Sequence, residues 1–234
     1  MTGNARVCAI VGVGPGNGAA LASRFARDGY RVALLARTTA MTAPLAAELG
    51  GLAIACDVAD PASVGAAFEQ ISTTLGAPGV VVFNAGSGVW GTIEEVSAAD
   101  FERAWRVNAF GLFHVAKATV PAMKRAGGGA IVVIGATASR RGGAKTAAFA
   151  PAKAAQRSLC ESMARQLWPS GIHVSLIVVD AVIDIPATRA RMPDKPDAFF
   201  SKPADIAELA HHLAHQPRSA WTFEAEARPF GETW

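Results

Sequence analysis

The sequence holds a single tyrosine, Tyr30, among its 234 residues, and three cysteines, Cys8, Cys56 and Cys160. The cysteines are far apart and form no Cys-x-x-Cys pair. This argues against a disulfide framework and a metal site and points to a reducing, cytoplasmic compartment. Charge is sparse too: 18% of residues are charged, the net charge is +3, and no basic run exceeds a pair such as Arg140-Arg141. Nucleic-acid binding calls for a clustered basic stripe with stacking aromatics beside it, so a pI near 9.0 does not bring that class into play. Long apolar runs are also missing, and none approaches the length that spans a bilayer. The apolar stretch after Arg6 is broken at Gly12 and Gly14 before a signal-peptide core forms, so a soluble, unprocessed chain is expected.

A hydrophobic content of 51% and a small net charge exclude disorder. At this length, folding should bury roughly 70–75% of the unfolded surface, enough for a core without a metal or disulfide staple. Short apolar runs recur at Val7–Val11, Arg31–Ala36, Leu52–Ala55, Val80–Phe83, 130–134 and 173–179. Between them, residues 18–28, 61–75, 98–125 and 145–168 are long, Ala-rich and apolar at helical spacing. Strand and helix alternate, which implies right-handed crossovers and a parallel sheet buried on both faces. The expected fold class is α/β: one doubly wound Rossmann-type domain over residues 1–234, with about seven parallel strands flanked by helices. Residues 181–203 hold Pro186, Pro193, Pro196 and Pro203 after the sixth strand. They are a candidate substrate lid or an ordinary surface excursion.

Directly after the first apolar run comes Gly12-Val13-Gly14-Pro15-Gly16-Asn17-Gly18, which opens a helical pattern. Glycines there let the backbone turn sharply and approach a pyrophosphate, while the helix start offers free N–H groups and a positive dipole end. A dinucleotide is the expected ligand; the alternative is a tight turn that binds nothing. The adenosine ribose is usually read at the end of the second strand, where this chain has Arg37 and no carboxylate between Asp28 and Glu48. Arginine can pair with a 2′-phosphate through a charge-assisted fork, so NADP(H) is favoured over NAD(H) unless Arg37 is merely a solvated strand end.

With that loop stand Asp57-Val58 after the third strand, Asn84-Ala85-Gly86 after the fourth, Asn108 in the long fourth helix, and Lys153. Together these resemble the short-chain dehydrogenase/reductase family over nearly the whole chain. The resemblance implies that Gly12, Gly16 and Gly18 form the cofactor loop, that Asp57 and Val58 lie at the adenine, and that Asn84, Ala85 and Gly86 support the cofactor. It also gives Lys153 the nicotinamide ribose and Ile183 a backbone contact to the carboxamide. The reaction it implies is hydride transfer with an Asn, Ser, Tyr, Lys set in which Tyr donates a proton to a carbonyl. Here Asn108 and Lys153 match, Ala136 stands for the Ser, Phe149 for the Tyr and Ile185 for a Thr after the sixth strand. Tyr30 lies just before the second strand and cannot repair the set by realignment. The chain therefore looks like an atypical subgroup with Phe in place of the catalytic Tyr.

Phenylalanine can wall a pocket but neither donates nor accepts a proton. A positioned general acid contributes about 10²- to 10⁴-fold, so hydride transfer can survive its loss. Three routes stay open: a substrate needing little protonation, such as an iminium; a water held by Lys153 and Asn108; or a substitute hydroxyl, with Thr137 before Ser139. Those hydroxyls can equally satisfy backbone groups. The leading expectation is an NADP(H)-dependent oxidoreductase acting on a small carbonyl, imine or alcohol. The rivals are a catalytically silent nucleotide-binding protein, or lyase or isomerase chemistry in the same pocket. His211 and His215 have one-turn spacing on the last helix, but the sequence shows no third ligand beside them. The cluster with His212 reads as a solvated face or a subunit contact, with no metal expected. The aromatic tail, residues 221–234, reads as a final strand and extension. By resemblance it belongs to a homodimer or homotetramer; otherwise its tryptophans pack on their own subunit. No nucleic-acid or membrane partner is expected.

Overall fold

A computed structural model describes residues 6–231 of the chain. Trp234 and the outermost ends of the expected domain fall outside the described residues. Strands β1 (Val7–Val11), β2 (Arg31–Ala36), β3 (Leu52–Ala55), β4 (Val80–Phe83), β5 (Gly129–Ile134), β6 (Ile172–Val179) and β9 (Glu224–Ala227) form one sheet in the order β3-β2-β1-β4-β5-β6-β9. Every pairing in it is parallel. A second pair, β7 (Val182–Ile183) and β8 (Phe200–Ser201), stands apart.

Alternation along β1 divides the core. Val7, Ala9 and Val11 face the layer of α3 (Pro61–Thr74), α4 (Ala98–Trp105), α5 (Gly111–Arg125) and α6 (Phe149–Leu167), where Ile71, Leu112 and Met163 are buried. Cys8 and Ile10 face the layer of α1 (Asn17–Arg27), α2 (Thr42–Leu49) and α8 (Pro203–Ala214), where Leu21, Phe25 and Leu213 are buried. Each such aliphatic or aromatic side chain contributes roughly 1.5–3 kcal/mol on burial. Because both faces are covered, the central strands read as unbroken apolar runs.

The helix expected over 98–125 is continuous but not uniformly α: Arg106–Phe110 forms one π-helical turn between α4 and α5. Such a turn slips the backbone register by one residue and is invisible to apolar spacing. The helix expected from 145 starts instead at Phe149, because the N–H of Thr146 donates to the Gly143 carbonyl at 3.0 Å in a turn. Residues 181–203 carry β7, the short helix α7 (Pro186–Arg191) and β8. They are built around Arg189, which bridges the carboxylates of Asp184 and Asp197 at 2.7 and 2.6 Å.

The chain moves outward in one direction from β1 to β2 and β3, and in the other from β4 to β5 and β6. The crevice of a doubly wound sheet opens where that direction reverses, beyond the carboxyl ends of β1 and β4. Gly12 and Asn84 lie there.

Candidate active site

The glycine loop is locked by close approach. Gly12 has φ +91°, and a Cβ there would lie 2.4 Å from the Ala85 backbone. A Cβ on Gly18 would lie 2.6 Å from Val13 Cα. Asn84 ties the loop to β4: its Nδ2 donates to the Gly12 carbonyl at 2.7 Å and its backbone N–H to Val11 at 2.8 Å. Gly16 is the N-cap of α1, whose first turn has no side-chain cap, and Asn17 Oδ1 is buried without a partner. An uncapped helix start beside an orphaned polar atom suits an anionic ligand. The Ile185 Cγ2 methyl lies 2.9 Å from the position of a Gly16 Cβ, so the segment after β7 rests on the loop, with Ile183 next to it.

Arg37 follows β2 by one residue, is exposed, and makes no ion pair among the described residues. Asp57 folds into its own turn: a carboxylate oxygen accepts from the Ala59 N–H at 3.0 Å, and its N–H donates to Ser63 Oγ at 3.0 Å. Val58 is buried against Gly111, where a Cβ would come within 2.9 Å.

Asn108 occupies the π turn and is fully buried. Its Nδ2 donates to the carbonyls of Ala104 at 2.9 Å and Ser87 at 3.1 Å, while Oδ1 has no partner. Lys153 Nζ donates to Ile134 O at 3.2 Å and to Gln156 Oε1 at 3.0 Å, and Gln156 Nε2 donates to Asn108 O at 2.9 Å. Burial brings the Lys153 pKa from the usual 10.5 down to about 8. A point where Gly86 lacks a Cβ lies 3.4 Å from Asn108 Oδ1 and 3.8 Å from Lys153 Nζ. An acceptor and a donor thus converge on one small space. Phe149 begins α6 with Lys153 Nζ 6.0 Å from its ring centroid, and Trp90 packs on its ring at 5.3 Å.

The two candidate hydroxyls differ. Thr137 Oγ1 donates to the carboxylate of Asp180, and Ser139 Oγ is buried without a partner. Gln156 is legible in principle from the sequence, since it sits three residues after Lys153 on the buried stripe of α6 with Cys160 and Met163. Trp90 and Asp180 carry no such signal. The sequence shows no carboxylate beside the histidines, but the fold brings one: Asp28, remote in sequence, places Oδ2 3.1 Å from His211 Nε2.

The sequence description of the short chain dehydrogenases matches residues 6–194. A D-threitol dehydrogenase of Mycolicibacterium smegmatis is 31% identical over 222 residues, covering 89% of this chain and 85% of that protein. A solved short-chain dehydrogenase from Rhodopseudomonas palustris superposes with a TM-score of 0.82 at 33% identity, covering 96% of this chain and 99% of its own. An alcohol dehydrogenase from the archaeon Thermococcus sibiricus, solved with 5-hydroxy-NADP, gives 0.87 at 28% identity, covering 97% and 98%.

Proposed function

Since the chain belongs to the short chain dehydrogenase family, we propose that it is an NADP(H)-dependent oxidoreductase that works on a small organic carbonyl, imine or alcohol without a tyrosine proton donor. The observation that carries this reading is the pairing of an intact glycine cradle with the Asn108 and Lys153 groups that converge over Gly86.

In this reading Gly12, Gly16, Gly18 and the start of α1 hold the pyrophosphate, and Arg37 pairs with the 2′-phosphate. Asp57 and Val58 flank the adenine. Asn84, Ala85, Gly86 and Lys153 hold the nicotinamide ribose, and the Ile183 backbone takes the carboxamide. When bound, the nicotinamide supplies or accepts hydride. Phe149 and Trp90 wall the pocket and exclude water without moving a proton. Lys153 carries a proton below about pH 8 and is fixed by Ile134 and Gln156. With Asn108 Oδ1 it can hold a water over Gly86. The substrate class favoured is one needing little protonation at the reacting atom, such as an iminium. Residues 181–203 act as the substrate lid of a single domain. In this reading the protein works in the cytoplasm as a homodimer or homotetramer. That assembly is supported by the stacked Trp105, Phe110 and Phe113 running from α4 through the π turn into α5, of which Trp105 and Phe113 are exposed.

A second reading, a silent nucleotide-binding protein, is favoured by Thr137 being tied to Asp180, which takes the first candidate hydroxyl out of the tyrosine's role. Fluorescence titration with NADPH, NADH and their oxidised forms tests both readings, and absence of saturable binding ends them. Carbonyl and imine panels on wild type and Phe149→Tyr then separate the two. Wild-type turnover of imines supports the first reading; ketone reduction seen only in the variant supports the second.

A further inference from the structure

The C-terminus of α1 and the last turn of α8 meet at the amino-terminal edge of the sheet, at the far end of α1 from the glycine loop. Two histidines one turn apart and a sequence-distant carboxylate converge there. His211 Nε2 lies 3.1 Å from Asp28 Oδ2, the two imidazole centroids are 4.1 Å apart, and one ligand atom from each of Asp28, His211 and His215 lies within 4.8 Å of the others. His215 Nδ1 is 2.7 Å from the His211 carbonyl oxygen, a contact that calls for a proton on Nδ1, so that Nε2 is the nitrogen placed to take a metal. That Nε2 is hydrogen-bonded to the Tyr30 hydroxyl at 2.8 Å. A backbone carbonyl fixing the far nitrogen of an imidazole is the support found behind metal-binding histidines. Phe25 floors the cluster, its centroid 5.1 Å from His211 and 6.3 Å from His215, which lowers the local dielectric.

We propose that Asp28, His211 and His215 bind one Zn²⁺ ion, a structural clasp joining α1 to α8. Two imidazoles and one carboxylate suit zinc, whereas calcium and magnesium prefer all-oxygen sets. With bonds of about 2.0–2.2 Å, tetrahedral ligands stand about 3.3 Å apart. The Asp28–His211 pair already has that spacing, and the third ligand atom needs to move by about 1.5 Å at most. Zinc takes the place of the proton shared between His211 and Asp28 and of the Tyr30 hydrogen bond to His215, and water or Tyr30 Oη completes the fourth position. Arg6 is the competitor, its Nη2 lying 3.4 Å from Asp28 Oδ2.

The test is calorimetric titration of the untagged full chain with ZnCl₂, alongside thermal melts and visible spectra with Co²⁺. One equivalent should bind at micromolar free metal or below, Co²⁺ should show intense tetrahedral absorption, and a hundredfold excess over Kd should raise Tm by about 5 °C or more. Asp28→Asn and His215→Ala should each weaken binding at least tenfold with NADPH affinity unchanged, while the exposed neighbour His212→Ala should leave zinc binding intact. Absence of saturable binding by the wild-type protein would overturn the proposal whether or not the variants fold. So would full affinity retained in folded Asp28→Asn and His215→Ala.

Discussion

The two ends of the crevice are held by different kinds of constraint. Around Gly12, Gly18 and Ala85 the fit is between backbone segments, where an added Cβ would fall 2.4–2.6 Å from main-chain atoms. Around Phe149 it is between side chains, the ring lying against Trp90 and Lys153, at a position where the family resemblance leads one to expect a tyrosine. Backbone complementarity is shared by every step in which a dinucleotide binds, and changing it disrupts the sheet itself. A side chain on the substrate side can change its chemistry while keeping its volume, as phenylalanine does for tyrosine. Binding and proton transfer can therefore part company within one pocket.

The sharpest way to break the first half of this contrast is Gly12→Ala. With φ +91° and no room beside Ala85, the variant should lose about 3 kcal/mol or more in urea unfolding, together with nucleotide binding. Lys153→Met probes the second half. The folded pKa of about 8 lies below the usual 10.5, so the charged form is disfavoured on folding. The native state is thus penalised while Lys153 is charged, below about pH 8, and the penalty fades as pH rises from there to 10.5. Lys153→Met should accordingly be more stable than wild type at pH 7, by up to about 3 kcal/mol, and lose that advantage by pH 10.5 in paired urea melts. Its NADPH affinity should still fall at least tenfold. In the wild-type enzyme, a rate that needs the Lys153 proton should fall tenfold per pH unit above about 8, whereas a flat profile to pH 9.5 would mean that the substrate brings its own proton.

Smaller effects sharpen the comparison. Arg37→Ala should cost NADPH about ten- to a hundredfold in affinity, as expected for a hydrogen bond to a charged group, and leave NADH unchanged. Thr137→Val should alter turnover by less than about threefold, since the hydroxyl already serves Asp180. A hundredfold loss would instead make Thr137 the substitute donor.

Much of the backbone-held half is legible in the amino-acid sequence alone. Strands buried on both faces announce themselves as continuous apolar runs, and the glycine spacing follows from steric demands local to one loop. The bounds of β1 to β4 match those runs residue for residue. The side-chain half is less legible because its partners are distant in sequence: Gln156 reaches Asn108 across 48 positions, and Thr137 meets Asp180 across 43. The π turn at Arg106–Phe110 keeps helical spacing nearly intact and so leaves no trace in the hydrophobic pattern. Asp28 joins the histidines of α8 because α1 and α8 pack side by side, a neighbourhood that no local pattern announces, with His211 183 positions from Asp28.

The methyl of Ile185 lying against Gly16 has a kinetic consequence. In the proposed reading, an incoming pyrophosphate meets the Ile185 methyl beside Gly16, and docking is expected to wait for that segment to swing aside. In rapid mixing, the observed association rate should then climb with nucleotide concentration and level off at the opening rate of the segment after β7. Trimming Ile185 to alanine should lift that plateau.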